Sequence, residues 1–181
     1  MRSTSLEPLV VAALCAALPA FAAAAPPAGE YRVAATVRVH AGGVLDREVR
    51  EDARAVLAPA SAGRVRVKLS ARGKTCELSA RAGEQGELTF APGQRCALAL
   101  DEEDVRGRVE ATLGSGTGRA QGDALTLALD WQLVGTVSLR MGGERIEVMG
   151  SEIAVPAGWA PEVPVRGTAD ARAQGRRSGA R

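Results

Sequence analysis

The sequence predicts an all-β fold, an antiparallel barrel or sandwich of about ten short strands in hairpin and meander order. Three observations predict it. Apolar and polar residues alternate with a period of two along most of the chain, helical spacing is almost absent, and glycine-containing turns separate the alternating runs. A barrel is slightly favoured over a sandwich, because closing a sheet removes its exposed edges.

The alternating runs can be placed in order along residues 26–155, which we interpret as one domain. The first run extends from Tyr31 to His40, and the turn Ala41-Gly42-Gly43 joins it to its partner. The later runs alternate in the same way between turn residues: 47–57, 64–70, 74–80, 88–90, 95–100, 104–113, 124–133, 136–141 and 145–155.

The N-terminal segment predicts export. Residues 9–25 form an apolar run of mainly alanine and leucine, with Arg2 before it and small residues after it, which is typical of a signal peptide. We expect residues 1–22 to be removed, with cleavage as late as Ala25 as an alternative. Because a spanning helix needs about 20 apolar residues, we expect no stable membrane span and a periplasmic or extracellular location. A retained anchor is the alternative.

The cysteines predict one structural disulfide. Signal cleavage removes Cys15 and leaves Cys76 and Cys96, each on the apolar phase of its strand, so both thiols face the same interior. An exported compartment favours their oxidation. A redox-active or metal-binding pair is disfavoured, because there is no Cys-x-x-Cys spacing and no histidine nearby.

Charge and composition argue against a nucleic-acid partner. Residues 26–166 carry 18 basic and 19 acidic side chains, so the predicted domain is nearly neutral. From residue 156 the pattern changes. Three prolines predict an extended strap over residues 156–166, and the lack of large apolar residues predicts a disordered basic tail over residues 167–181. Trp159 either packs back on the domain or contacts a partner.

Three further features are candidate sites of chemistry. His40 is interpreted as an exposed turn residue, since no nucleophile motif accompanies it. The acidic cluster Asp101, Glu102, Glu103 and Asp104 could bind a cation such as Ca²⁺, but its spacing matches no loop motif and a solvated turn explains it. The run from Gly114 to Gly118 is interpreted as a flexible hairpin loop, because no helix follows it.

These observations predict a non-enzymatic binding or interaction module of the cell envelope or periplasm. Its partner is a protein or a small apolar ligand, and we expect no cofactor and no metal. Two alternatives stay open. One is an exported protein resembling a protease inhibitor that presents a terminal segment, and the other is a hydrolase of unrecognised type.

Overall fold

Eleven strands make up the secondary structure of the residues that the computed structural model describes, which are 27–41, 45–101, 105–139, 145–148, 151–154 and 161–179. The strands are β1 (Gly29–Ala41), β2 (Leu45–Pro59), β3 (Arg64–Ala71), β4 (Lys74–Ala82), β5 (Glu87–Phe90), β6 (Arg95–Asp101), β7 (Val105–Gln121), β8 (Ala124–Leu139), β9 (Arg145–Val148), β10 (Ser151–Ala154) and β11 (Glu162–Arg177).

Nine of the strands form one antiparallel sheet that closes on itself. Their order is β5-β4-β3-β2-β1-β11-β8-β7-β6, and a further pairing between β5 and β7 closes an eight-stranded barrel with β6 as an extra strand. The predicted all-β antiparallel fold is therefore confirmed, and of the two architectures left open it is the barrel. β9 and β10 pair as a separate hairpin, where the sequence predicted one continuous strand over 145–155.

β5 and β6 lie in line along the same side of β7. Phe90 of β5 stands opposite Gly116, and Cys96 of β6 stands opposite Ala111, so the two short strands bond successive halves of β7. On the side away from β3, β4 pairs with β5 through residues 80–82. Within the described residues, no backbone ladder joins β4 to β6. We call the line along which β4 faces β5 and β6 the seam. Backbone hydrogen bonds bridge the half of the seam at β5 and not the half at β6.

One end of the barrel is tightly packed. This closed end carries the turns at residues 60–63, 83–86 and 122–123. Its interior side chains are at most 3 % exposed, and they come from five different strands: Tyr31, Leu57, Val65, Leu88, Phe90 and Leu125. Burial of each such side chain stabilises the fold by about 1.5–3 kcal/mol. The opposite end is here called the mouth; there β1, β3, β6 and β8 end, and β2, β4, β7 and β11 begin.

β11 corrects the prediction of an extended strap and a disordered tail. It runs through residues 162–177 and bonds β1 on one side and β8 on the other. From Gly167 through Ala169 and Ala173 to Gly175 its inward residues are small, so this part of the strand lacks the large apolar residues that usually mark a barrel strand. A Cβ atom at Gly175 would collide with the Arg32 carbonyl oxygen of β1. Small size here permits close strand approach, and both neighbours satisfy the backbone groups.

The glycine run between residues 114 and 118 is also a strand rather than a hairpin loop. It lies within β7, which pairs with β8 along its length except for a register shift between Leu113 and Ser115. Gly116 is buried, and a Cβ atom there would lie 2.9 Å from Leu129 and 3.0 Å from Phe90. Glycine makes room for these two interior side chains, so its role is packing rather than flexibility.

Candidate ligand cavity

A cavity of about 370 Å³ occupies the mouth half of the barrel interior. Its walls come from strands on every side of the barrel and are mainly aliphatic. Seven of the lining residues are alanines, among them Ala35, Ala53 and Ala171 on the adjacent strands β1, β2 and β11. An eight-stranded barrel is just wide enough for large side chains to fill it. Where the inward residues are alanines, the space stays open. The cavity is therefore a result of the small side chains on these three strands.

Among the described residues, Trp131 is the one aromatic side chain on the cavity wall. It lies on β8, in phase with Leu127, Leu129 and Leu133, and is partly buried. It belongs to the partly buried side chains packed against the core cluster. Because its indole borders the void, Trp131 is placed to contact a bound molecule and to report on it by fluorescence.

The predicted disulfide joins Cys76 and Cys96 and forms part of the cavity wall. It connects β4 to β6, with the two Cα atoms 5.4 Å apart. This is the half of the seam that has no backbone ladder in the described residues. The disulfide thus holds the wall together where hydrogen bonds between strands do not, and the pairing inferred from the apolar phase of the two strands is confirmed.

Gln94 holds the same seam between β5 and the disulfide. The backbone N–H of Ser79 donates to Gln94 Oε1 at 2.6 Å, and Gln94 Nε2 donates to the Ser79 carbonyl at 2.9 Å. Nε2 also donates to the carbonyl of Ala91 at 2.9 Å. The side-chain amide therefore takes the place of a backbone amide in a strand pair.

Polar side chains border the cavity at the turn between β3 and β4 and on the facing part of β2. Glu51 and Lys74 each occupy the inward phase of a strand, and Arg72 comes from the turn between β3 and β4. Arg72 Nε lies 3.1 Å from Glu51 Oε2. Ser70 and Thr75, which stand opposite each other on the outer phase of β3 and β4, border the opening, and their hydroxyls lie 3.3 Å apart. The cavity is thus apolar in its depth and polar at its opening.

Glu51 and Lys74 were not predicted as site residues, although the sequence contains a signal for both. Glu51 lies between Val49 and Ala53 on the apolar phase of its strand, and Lys74 lies two residues before Cys76 on the same phase. A charged side chain on an inward phase must have water, a counter-ion or a ligand near it. The alternation is hard to follow at this point, because Glu51 lies in a stretch of charged residues from Asp46 to Arg54.

The structure describes only some of the other residues that the sequence singled out. His40 is half exposed on the outer phase of β1, with Nδ1 3.1 Å from Asp46 Oδ1, and it does not line the cavity. Asp101 ends β6 at the mouth, whereas Glu102, Glu103 and Asp104 lie outside the described residues, as does Trp159. Within the described part of the chain, no group of three or more His, Cys, Asp or Glu side chains could hold a metal ion.

The shifted carboxylates lie on the outside of the barrel. Hydrogen bonds from Arg38 and then Arg50 lower the pKa of Glu48. A hydrogen bond from the Ser115 hydroxyl, at 2.5 Å, is the largest cause that lowers the pKa of Asp130, and Arg172 adds to it while desolvation opposes it. Both carboxylates have partners on neighbouring strands, and Glu48 also pairs with Arg50 of its own strand, which is typical of structural ion pairs.

A second depression of about 430 Å³ lies outside the closed end. Turn residues and the ends of the first and last strands form its walls, including Pro27, Gly83, Gln85 and Arg177. The Arg177 guanidinium lies 5.9 Å from the centre of the Tyr31 ring at this end. The depression therefore sits on an outer surface, whereas the cavity at the mouth continues the barrel interior.

Comparison with known proteins adds little to this geometry. No protein-family model and no curated protein matches the chain. A solved structure of a protein of unknown function from the DUF3598 family, from Nostoc punctiforme, is similar at 13 % identity and a TM-score of 0.32. The match covers 83 % of this chain and 47 % of that one, so this chain spans about half the length of its structural neighbour. In the described residues no helix has the length and apolar character needed to cross a membrane.

Proposed function

We propose that this chain is an exported, non-enzymatic binding module of the cell envelope or periplasm whose barrel binds one small apolar ligand in the cavity at its mouth. The observation that carries the proposal is the void of about 370 Å³ with alanine-rich walls, in a barrel whose other half is fully packed. Ligand pockets in proteins commonly measure about 300–1,000 Å³, so the volume suits a small molecule.

The energetics of an apolar void favour an apolar occupant. Water in such a cavity finds few hydrogen-bond partners, and atoms around an empty void lose dispersion contacts. An engineered apolar cavity of about 150 Å³ is enough to bind benzene. The cavity described above is more than twice that size. A ligand that fills it would gain about 25 cal/mol for each Å² of apolar surface it buries.

Two observations support export and binding rather than catalysis. The apolar segment at residues 9–25 predicts secretion, and disulfides such as Cys76–Cys96 persist in oxidising compartments. His40 lies on the outer face of the barrel and does not face the cavity, so a ligand bound there would not meet it. The polar groups near the opening suit recognition of one end of a ligand, and the alanine-lined depth suits its apolar body.

Native mass spectrometry of the protein purified after export tests the proposal. We expect a recurrent added mass on the wild-type chain from independent preparations. The paired variant Ala35→Leu with Ala171→Leu should lack that mass, because the added methylenes occupy the void. Ala34→Leu is the matched control, since Ala34 is exposed on the outer phase of β1 and should leave the ligand in place. A bare wild-type mass, or a ligand retained by the filled variant, would overturn the proposal.

A further inference from the structure

The charges of the three ionisable side chains that line the cavity, Glu51, Arg72 and Lys74, do not sum to zero. Glu51 and Arg72 form an ion pair at 3.1 Å and neutralise each other. Lys74, on the inward phase of β4 and partly buried, has no carboxylate within 4.0 Å in the described part of the chain. One positive charge is therefore left over at the edge of an apolar void.

An unpaired, partly buried ammonium favours an incoming anion. Burial removes part of its hydration, and a carboxylate placed beside it supplies a charge-assisted hydrogen bond in return. Asp101 ends β6 at the same end of the barrel, in register with Arg106 of β7.

The polar lining residues are confined to one side of the void. Glu51, Arg72 and Lys74 all lie at the turn between β3 and β4 or on the part of β2 that faces it. Toward the closed end the wall is made of Val33, Leu127, Leu129 and the alanines of β1 and β11. A matching ligand has one polar end and an apolar body, so a uniformly polar molecule would leave hydrogen-bonding groups unsatisfied.

We propose that the ligand is a free fatty acid with a single chain of medium length, which lies in the cavity with its carboxylate beside Lys74. This inference rests on the proposed function, because it needs the cavity to be the binding site. To the proposed function, this inference adds that the ligand is an anion and that Lys74 recognises its charge. Lys74 is a binding residue for the carboxylate, and Trp131 lies against the apolar chain.

Calorimetric titration of the delipidated exported chain with three ligands of equal chain length tests the head group. The probes are decanoate, decanol and decyltrimethylammonium, each below its critical micelle concentration and at pH 7. We expect decanoate to bind roughly tenfold more tightly than decanol, since a hydrogen bond to a charged group is worth that much. The cationic probe should bind most weakly. Equal affinity for decanoate and decanol would overturn the inference.

The two lysines of the chain provide a matched pair of variants. Lys74→Met should weaken decanoate binding roughly tenfold and leave decanol binding unchanged, because it removes only the contact with the carboxylate. Lys74→Arg should keep most of the preference. Lys68→Met is the control, since Lys68 is exposed on the outer phase of β3 and should change neither affinity. If Lys74→Met leaves decanoate binding intact, the assignment of Lys74 is wrong.

The two proposals fail in different ways. If no probe binds the wild-type chain and the variant with Ala35→Leu and Ala171→Leu still carries a co-purified mass, the cavity is not the binding site and both proposals fall. If decanol and decanoate bind equally and the filled variant binds neither, the cavity binds apolar ligands and only the carboxylate inference falls. Unfolding curves of each variant separate lost binding from a lost fold.

Discussion

The side-chain amide of Gln94 bonds both backbone groups of Ser79, accepting from its N–H at 2.6 Å and donating to its carbonyl at 2.9 Å. This contact lies between the β4–β5 ladder, which ends at Ala80, and the disulfide at Cys76. The break between β5 and β6 leaves the edge of β4 without a backbone partner at this point. One glutamine side chain closes the gap.

Replacement of Gln94 should therefore destabilise the barrel. Gln94→Ala removes the side-chain partner of the N–H and carbonyl of Ser79, and because Ser79 is exposed to water, each lost hydrogen bond costs about 0.5–1.5 kcal/mol. Urea unfolding of the oxidised protein measures the change. Gln132→Ala is the control, because Gln132 is exposed on the outer phase of β8. Equal stabilities of the two variants would show that Gln94 does not hold the seam.

The Cys76–Cys96 disulfide should contribute more than the glutamine. It closes a loop with a sequence separation of 20, for which the chain-entropy model gives about 3 kcal/mol. We expect the double variant Cys76→Ala with Cys96→Ala to unfold at correspondingly lower urea concentration. Thiol titration of the wild-type chain after export checks the premise, since two free thiols would contradict a structural disulfide.

Stability should depend on pH through Asp130. The pKa of Asp130 is lowered in the folded state, chiefly by the hydrogen bond from Ser115 and then by Arg172. A carboxyl with a depressed folded pKa adds stability above its unfolded pKa, and this stability is lost as the pH falls through the folded pKa. Ser115→Ala should therefore lower stability at neutral pH, by under about 1 kcal/mol because the pair is exposed. The difference should vanish in strong acid.

The measurement is urea unfolding of both proteins from pH 7 down to pH 2. NMR titration of the Asp130 carboxyl gives the direct check, since Ser115→Ala should raise its pKa toward the ordinary value for aspartate. Thr117→Ala serves as the control, because Thr117 is an exposed residue of the same strand with no part in the pKa of Asp130. A difference between wild type and Ser115→Ala that is constant across the range would argue against the titration of Asp130 as its cause.

Removal of β11 should abolish the fold. A chain that ends at Val155 loses the partner of both β1 and β8, and two barrel strands then expose unpaired backbone edges. We expect loss of the strand signal in circular dichroism and aggregation of the truncated protein. A chain shortened only by residues 180–181 keeps every described strand and is the control. A soluble, folded product ending at Val155 would contradict the assignment of β11 to the barrel.

The sequence was informative wherever a structural property is local. Alternation in the stretch Tyr31–His40 and in both cysteine strands predicted the strands and their inward phases, because a period of two is set within each strand. The disulfide followed from the same phases. β11 was missed because alanine and glycine give a weak apolar signal, and the hydrogen bonds that order this strand come from β1 and β8, which are distant in sequence.

The candidate site depends on contacts that a single sequence does not specify. The cavity exists because alanines from β1, β2 and β11 are neighbours, and that order of strands is a property of the closed barrel. The pairing of Glu51 with Arg72 likewise joins a strand to a distant turn. Lys74 could have been found from its phase alone, but the sequence did not say that its strand borders a void.

The pairing of β1 with β11 has a consequence for how the protein is made. Tyr31 stands in register with Arg177, so the first strand of the barrel is hydrogen-bonded to the last one. Contacts of such long sequence separation slow folding, because the chain must close a large loop before they form. The barrel is therefore complete only when β11 has been synthesised and has paired with β1. Until then the edge of β1 that faces β11 is open, and it can pair with the edge of another strand.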